Sequence, residues 1–214
     1  VEICGIGPAG DDIIRFYDKG HIVAPMVRAG KVIRNGVFDV VVASASCMPL
    51  DLASEAARVD SKFIWVGSNG VADCTDVAVD KIVGDLVGGG KAAWIRDAEK
   101  AAEVAVKVAQ AVKRTAHVMS DDAAVAETKK CQANCDLCSM ACPNDLPVSK
   151  AMKSLSVGKW EAFFEVEKGC FFCGKCEAAC PSKIQVRDII VAAERKQAAK
   201  DKFVMRPGRG PLPL

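Results

Sequence analysis

A doubled cysteine arrangement constrains this chain more than any other feature: Cys131-x3-Cys135-x2-Cys138-x3-Cys142-Pro143, then Cys170-x2-Cys173-x2-Cys176-x3-Cys180-Pro181. Three thiolates two or three residues apart can wrap one side of a four-iron cube, and the fourth must then come from elsewhere. In two-cluster ferredoxins it comes from the other run. The spacing therefore predicts two [4Fe-4S] clusters with crossed ligation. Cys131, Cys135, Cys138 and Cys180 would hold the first, and Cys170, Cys173, Cys176 and Cys142 the second. Pro143 and Pro181 suit a chain that leaves a cluster loop and enters a helix, because proline has a fixed φ and no N–H. In the first run Gln132, Ala133 and Asn134 add one residue between the first two cysteines. That insertion enlarges the loop without removing a ligand. Two cubanes side by side imply electron transfer.

Zinc knuckles and disulfides are the plainer readings of clustered cysteines. Zinc knuckles take two ligands per turn and often histidine, whereas each run here has a third closely spaced cysteine and a Cys-Pro. Disulfides suit small secreted domains with too little core. Here 50% of 214 residues are hydrophobic and no secretory leader is present, so the thiols read as reduced and the chain as cytoplasmic. The formal net charge of +2, with basic residues dispersed among acids and few aromatics, gives no sign of nucleic-acid binding. The longest apolar stretches, such as 38–45, fall far short of a membrane span.

The first half alternates short apolar runs with helical patterns, the signature of a parallel sheet in an α/β domain. Strands are expected at Val1 to Ile6, His21 to Ala24, Asp39 to Ala45, Lys62 to Gly67 and Ala92 to Arg96. Helices are expected at Asp11 to Lys19, Pro25 to Arg34, Leu50 to Val59 and Asp76 to Val87, followed by one capped by Asp97. In that last helix Ala101, Val104, Ala105, Val108, Ala111 and Val112 form one apolar stripe. The run Val40 to Ala45 reads as a central strand buried on both faces. Beyond Met119 strands vanish, and helices are predicted at Asp121 to Lys130, Val148 to Val157, Lys159 to Glu167 and Val186 to Lys200. The expected division is a Rossmann-like α/β domain over 1–118, a helical two-cluster ferredoxin-like domain over 119–200, and a linker over 201–214. That linker, and a first residue that is valine rather than methionine, suggest a fragment.

Gly5-Ile-Gly-Pro-Ala-Gly10 satisfies the dinucleotide fingerprint G-x-G-x-x-G formally. Asp11 and Asp12 would stand where a pyrophosphate should sit, and no acid ends the next strand. A tight strand-to-helix turn accounts for the same glycines. Of the cysteines outside the runs, Cys4 and Cys74 read as ordinary thiols. Cys47 follows a strand at its carboxyl end, where parallel sheets place their chemistry. His21 and His117 are far apart in sequence, and the acid pairs Asp11-Asp12 and Asp121-Asp122 sit at helix starts, so no general acid or base is assigned. Lys129, Lys130, Lys168, Lys175 and Lys183 flank the cysteines and are candidates to offset cluster charge. Phe171, Phe172, Leu137 and Met140 are candidate apolar cover.

Nearly the whole chain resembles the alpha subunit of the archaeal acetyl-CoA decarbonylase/synthase complex, a nickel-iron carbon monoxide dehydrogenase. The resemblance rests on Glu2-Ile-Cys-Gly-Ile6, the segment Phe38 to Cys47, Asp85-Leu-Val-Gly-Gly89, Cys142-Pro-Asn-Asp-Leu-Pro147, the second cysteine run, and Arg206 to Pro211. It implies an enzyme of methanogens and their kin that oxidises carbon monoxide with water to carbon dioxide, two protons and two electrons. It also implies that the two cubanes relay electrons to ferredoxin, within an oligomeric complex of several subunits. By the same resemblance Cys47 matches a ligand of the nickel-iron-sulfur cluster. The family's histidine ligand and later cysteines would lie outside these residues, so this segment alone is not catalytic. Where the family has a Cys-Cys pair, this chain has Gly7-Pro8. It is then either a segment of a larger enzyme subunit or a divergent relative that kept the relay and lost the catalytic metal. A non-catalytic electron-transfer module for another oxidoreductase is the alternative function, and a nucleotide-dependent reductase using Gly5 to Gly10 is a third.

Overall fold

A computed structural model describes residues 1–44, 51–67, 76–112, 118–199, 203–206 and 210–213, the last two segments by their backbone alone. The chain divides into two compact units, Val1–His117 and Val118–Leu214.

In the first unit β1 (Cys4–Ile6) pairs in parallel with β2 (His21–Ala24) across α1 (Pro8–Phe16). A single 3-10 turn at Met26–Arg28 leads into α2 (Ala29–Arg34). There follow β3 (Val40–Ser44), α3 (Leu52–Arg58), β4 (Lys62–Val66), α4 (Val79–Val87), β5 (Ala92–Ile95) and α5 (Ala98–Ala111). The second sheet is parallel in the order β3-β4-β5, with Val42 opposite Ile64 and Ile64 opposite Ala93. The α/β class and the parallel pairing are as expected. Among the described residues of the first unit, however, the strands form two sheets rather than one.

The strand buried on both faces is β4, not β3. Val42 of β3 is 49% exposed, and β3 is an edge of the three-stranded sheet among the described residues. Along β4 the pleat sends alternate residues to opposite faces. Phe63 and Trp65 join Ile33 of α2 and Leu52 of α3 in one cluster, while Ile64 joins Leu86 of α4 and Val104 of α5 in another. Helices thus cover both faces, making a three-layer unit. A central strand that opens on Lys62 does not look central in sequence; its buried ammonium lies 3.6 Å from Asp60. The Asp97 side chain caps α5 by accepting the Lys100 N–H at 2.7 Å. On α5 the stripe holds at Ala101, Val104 and Val108, whereas Ala111 is exposed in the last turn.

Within the described residues 118–199, the second unit is helical. Its elements are α6 (Asp121–Thr128), α7 (Leu137–Met140), α8 (Val148–Leu155), α9 (Glu161–Gly169), α10 (Lys175–Ala178) and α11 (Val186–Ala198). Ser120 caps α6 by accepting the Ala123 N–H at 3.2 Å. The order helix, one-turn helix, helix occurs twice, and the backbone repeats in detail. Asp145 and Lys183 both have positive φ, of 51° and 49°. Their N–H groups donate to the Cys142 and Cys180 carbonyls at 3.2 and 3.1 Å. Val148 donates to Leu146 and Val186 to Ile184, at 2.8 and 2.9 Å. One core joins the halves, with Met152, Phe163, Val166, Ile184 and Ile189 packed together with Cys138 and Cys176.

The stretch expected to be a linker carries a hairpin, β6 (Phe203–Arg206) antiparallel to β7 (Gly210–Pro213). Pro211 and Pro213 lack an N–H but fit an isolated ribbon, where alternate backbone groups face outward. Among the described residues, no helix is long and apolar enough to cross a membrane.

Candidate metal centre

The second cysteine run is shaped by three backbone devices. At the end of α9, Cys170 leaves the helix in an extended conformation. Phe172 then turns at φ 60°, and its N–H points back at the Cys170 Sγ, 3.2 Å away. Gly174 follows at φ 75°, a left-handed position that starts α10 and that glycine takes without strain. A polypeptide bent this way carries its sulfurs around one hollow. Cys170, Cys173 and Cys176 line a pocket whose empty volume, partly open to solvent, is about 420 Å³. Cys142, the last cysteine of the first run, lines the same pocket. Leu146, Val166, Phe172 and Ile190 supply an apolar wall, and Arg187 supplies a cation.

The first run gathers in the complementary way. Cys131 has its pKa raised, by burial first and then by the neighbouring charges of Cys135 and Cys180, with Lys153 acting in the opposite sense. Cys180, the last cysteine of the second run, therefore lies within electrostatic reach of Cys131. Cys138 is pushed up to about 11, mainly by burial, with Cys131 and Cys135 adding to it. Cys176 is pushed up to about 12 by burial, then by Cys170, Cys173 and Cys138. The effect of Cys138 on Cys176 also ties one group of sulfurs to the other. Backbone hydrogen bonds from Ser139 to Cys138 and from Glu177 to Cys176 oppose these shifts, at matching places in the two halves. Thiols so crowded and buried resist becoming thiolates unless a cation shares the site, and metal binding would release their protons.

Among the described residues, no three or more Cys, His, Asp or Glu side chains converge as they would on a single ion. Four of the sulfurs, of Cys142, Cys170, Cys173 and Cys176, instead line one pocket. That donor set, all sulfur and spread around a hollow, fits a cage of several metals better than one tetrahedral zinc.

The charged and apolar neighbours differ from those expected. Lys129, Lys130, Lys168, Lys175 and Lys183 are all exposed; Lys130 pairs with Glu127 at 2.5 Å and Lys168 with Glu165 at 2.9 Å. The cation at the pocket is Arg187, which sequence reasoning missed. Its Nε donates to the Glu177 Oε2 at 2.6 Å, and its guanidinium lies 5.7 Å from the Phe172 ring centroid. Of the four expected cover residues only Phe172 is buried, while Phe171, Leu137 and Met140 are exposed. An aromatic beside a cysteine followed by Arg at the start of the next helix was the available signal for Arg187, but only the fold brings the two together.

In the first unit the glycine fingerprint is explained by packing. A Cβ on Gly5 would come within 2.2 Å of the Gly10 Cα, and Gly7 sits at φ 63° with its N–H donating to the Ala24 carbonyl at 2.8 Å. Pro8 opens α1 and has no N–H to offer a phosphate. Cys4 is half-buried with its pKa raised by burial and then by Glu2, as for an ordinary thiol. Cys47, Cys74 and His117 lie outside the described residues.

Fold and site together define a protein class: an α/β unit with parallel sheets, followed by a helical unit that carries two cysteine runs, with the last cysteine of the first run lining the pocket of the second. No protein-family model matches the chain. Its relatives are alpha subunits of the acetyl-CoA decarbonylase/synthase complex, and the chain is homologous to a segment of them over nearly its full length. It is 35% identical to subunit alpha 1 of Methanopyrus kandleri, in an alignment covering 99% of the chain and 29% of that protein. It is 32% identical to subunit alpha of Methanocaldococcus jannaschii, over 99% of the chain and 28% of that protein. With subunit alpha 1 of Methanosarcina mazei the identity is 30%, over 98% and 28%. The resemblance read from the motifs therefore holds, and the chain spans less than a third of the length of these curated relatives.

Proposed function

We propose that the helical unit holds two [4Fe-4S] clusters and relays electrons for a carbon-monoxide-oxidising complex of the acetyl-CoA decarbonylase/synthase type. Cys131, Cys135, Cys138 and Cys180 would hold one cluster, and Cys170, Cys173, Cys176 and Cys142 the other. The observation that supports this reading is that Cys142 lines the pocket of the second run, beside the effect of Cys180 on Cys131. When bound, such clusters accept and release one electron at a time, which lets a two-electron oxidation feed a one-electron acceptor such as ferredoxin. The chain's own part is to exclude water with Phe172, Val166 and Ile190, and to present backbone N–H groups to the sulfurs. The names of the relatives support membership of a multi-subunit, carbon-monoxide-metabolising complex. The first unit, with helices on both faces of a parallel sheet, is read as Rossmann-like. Cys47 is kept as a proposed ligand of a nickel-iron-sulfur cluster completed by residues outside this segment.

A relay module without the catalytic metal is the second reading, and the turn at Gly7 favours it. A Cβ there would meet Met26 at 3.1 Å on a left-handed backbone, so this turn does not accommodate the family's cysteine pair unchanged. Metal analysis of the full-length protein separates the readings. Nickel, with carbon monoxide reducing the clusters, supports the enzyme; a nickel-free native protein that still carries its clusters supports the relay. Iron and sulfide of about eight each from this unit are expected on either reading. Zinc in their place would reject both. Cys142→Ala and Cys180→Ala test the exchange: each loss should damage the cluster built mainly by the opposite run, as seen by electron paramagnetic resonance, and damage confined to the same run would refute it.

A further inference from the structure

The two cysteine sites come from repeated halves, yet matching positions carry different charges. Val148 and Val186 open α8 and α11 in the same way, so Ser149 stands where Arg187 stands in the other half. By the same correspondence Ser139 answers to Glu177, and Asp136 to Gly174. In the second half the Arg187 side chain, 17% exposed, lines the pocket with Cys142, Cys170, Cys173 and Cys176. Glu177, which pairs with it, is not among the lining residues. Of the two partners it is the cation, Arg187, that lines the pocket of these sulfurs. Gly174 makes room for it, since a Cβ there would stand 3.3 Å from the Arg187 Cζ.

In the first half the corresponding groups are hydroxyls and a carboxylate. The Ser149 hydroxyl donates to Asp136, and its N–H donates to the Ser139 Oγ at 2.9 Å. Lys153 is the cation that acts on Cys131, and it is exposed, where water and salt screen it.

We infer that Arg187 makes the site of Cys142, Cys170, Cys173 and Cys176 the easier of the two to reduce, so that an electron shared between them rests there. This depends on the proposal that the eight cysteines hold two [4Fe-4S] clusters. Reduction adds one negative charge and neither makes nor breaks a bond. A guanidinium that keeps its charge at all working pH values, half-enclosed and therefore weakly screened, stabilises the more negative state. Net charge and hydrogen bonding around the sulfurs are established levers on cluster potential.

The test is a potentiometric titration of the full-length protein, prepared anaerobically and followed by electron paramagnetic resonance. The two one-electron waves would be assigned by the loss of one in Cys142→Ala. Arg187→Gln should lower the second site's wave, so that its reduced fraction at a potential between the two waves falls severalfold, and should leave the first in place. Arg187→Lys should keep most of the wave's position. Glu177→Gln should raise the same wave, because the guanidinium loses its counter-charge and keeps its own. Opposite shifts from the two partners of one ion pair are what a purely structural role does not produce. If iron and sulfide show both clusters present and the second wave stays put in both variants, or the first moves instead, the inference is overturned and the cluster assignment stands. If Arg187→Gln loses the cluster, Glu177→Gln decides: an upward shift supports the inference, and no shift or a downward one defeats it. Absence of iron and sulfide from the unmutated protein would overturn the cluster proposal itself.

Discussion

In the α/β unit, hydrocarbon closes both faces of β4, with Phe63 and Trp65 toward α2 and α3 and Ile64 toward α4 and α5. The helical unit has a comparable apolar centre around Phe163 and Ile189, but its core runs directly into Cys138 and Cys176. One unit completes its interior from its own side chains. The other ends its interior in thiols that burial has made reluctant to ionise, with Cys138 and Cys176 pushed up to about 11 and about 12. The lesson is that two cores of similar packing can end differently, the first in hydrocarbon and the second in sulfurs that, on the proposed function, would hold a cluster.

Removing metal should break the symmetry between the units most strongly. Anaerobic chelation of iron is expected to abolish the cooperative unfolding of the helical unit while the α/β unit keeps its transition. Calorimetry beside circular dichroism would check this, and equal loss in both units would erase the distinction. Next in size is Glu55→Ala, which leaves the buried Arg34 guanidinium between α2 and α3 without the carboxylate it meets. Losing one partner of a buried pair costs about 3–5 kcal/mol. Denaturant melts should show that loss in the α/β unit only, with the cluster absorbance unchanged.

Smaller effects sharpen the comparison. Asp97→Ala and Ser120→Ala remove equivalent N-caps, one in each unit, and should each cost about 1 kcal/mol. If the bound metal dominates the stability of the helical unit, the Ser120 variant should show its cost clearly only after metal removal. The smallest effect is at Asp60, whose pKa the Lys91 ammonium lowers through a 2.6 Å hydrogen bond. A carboxylate with a depressed folded-state pKa contributes stability above its ordinary value of 3.8, and that contribution is lost as pH falls through the folded value. The group is partly exposed, so the contribution should stay under about 1 kcal/mol. The gap between the melting temperatures of the unmodified protein and Asp60→Asn should therefore close on acidification.

Much of the fold was legible because its signals are local. The β2 strand, the Asp97 cap and the longer helices of the second unit all lie where apolar period and capping residues put them. The errors came where the deciding contact is distant. Val40 to Ser44 looks central because it is apolar, but its neighbours make it an edge, and Lys62 hides the strand that is central. The one-turn helices α7 and α10 are shorter than any apolar period can reveal. At the site, the cysteine spacing alone called for a fourth sulfur from the other run. The structure brings Cys142 to the pocket of the second run, and Cys180 within reach of Cys131. Arg187 was illegible because its meeting with Phe172 depends on a left-handed turn and the start of α11, features that no spacing rule encodes.

The proposed exchange of Cys142 and Cys180 has a bearing on inheritance as well as on chemistry. On the proposed ligation each half would lend its last sulfur to the other, so neither could be duplicated, lost or transplanted alone without leaving a hollow one donor short. The exposed turn at Gly158, between α8 and α9, can drift in length and composition, but the segments it joins are bound to descend together.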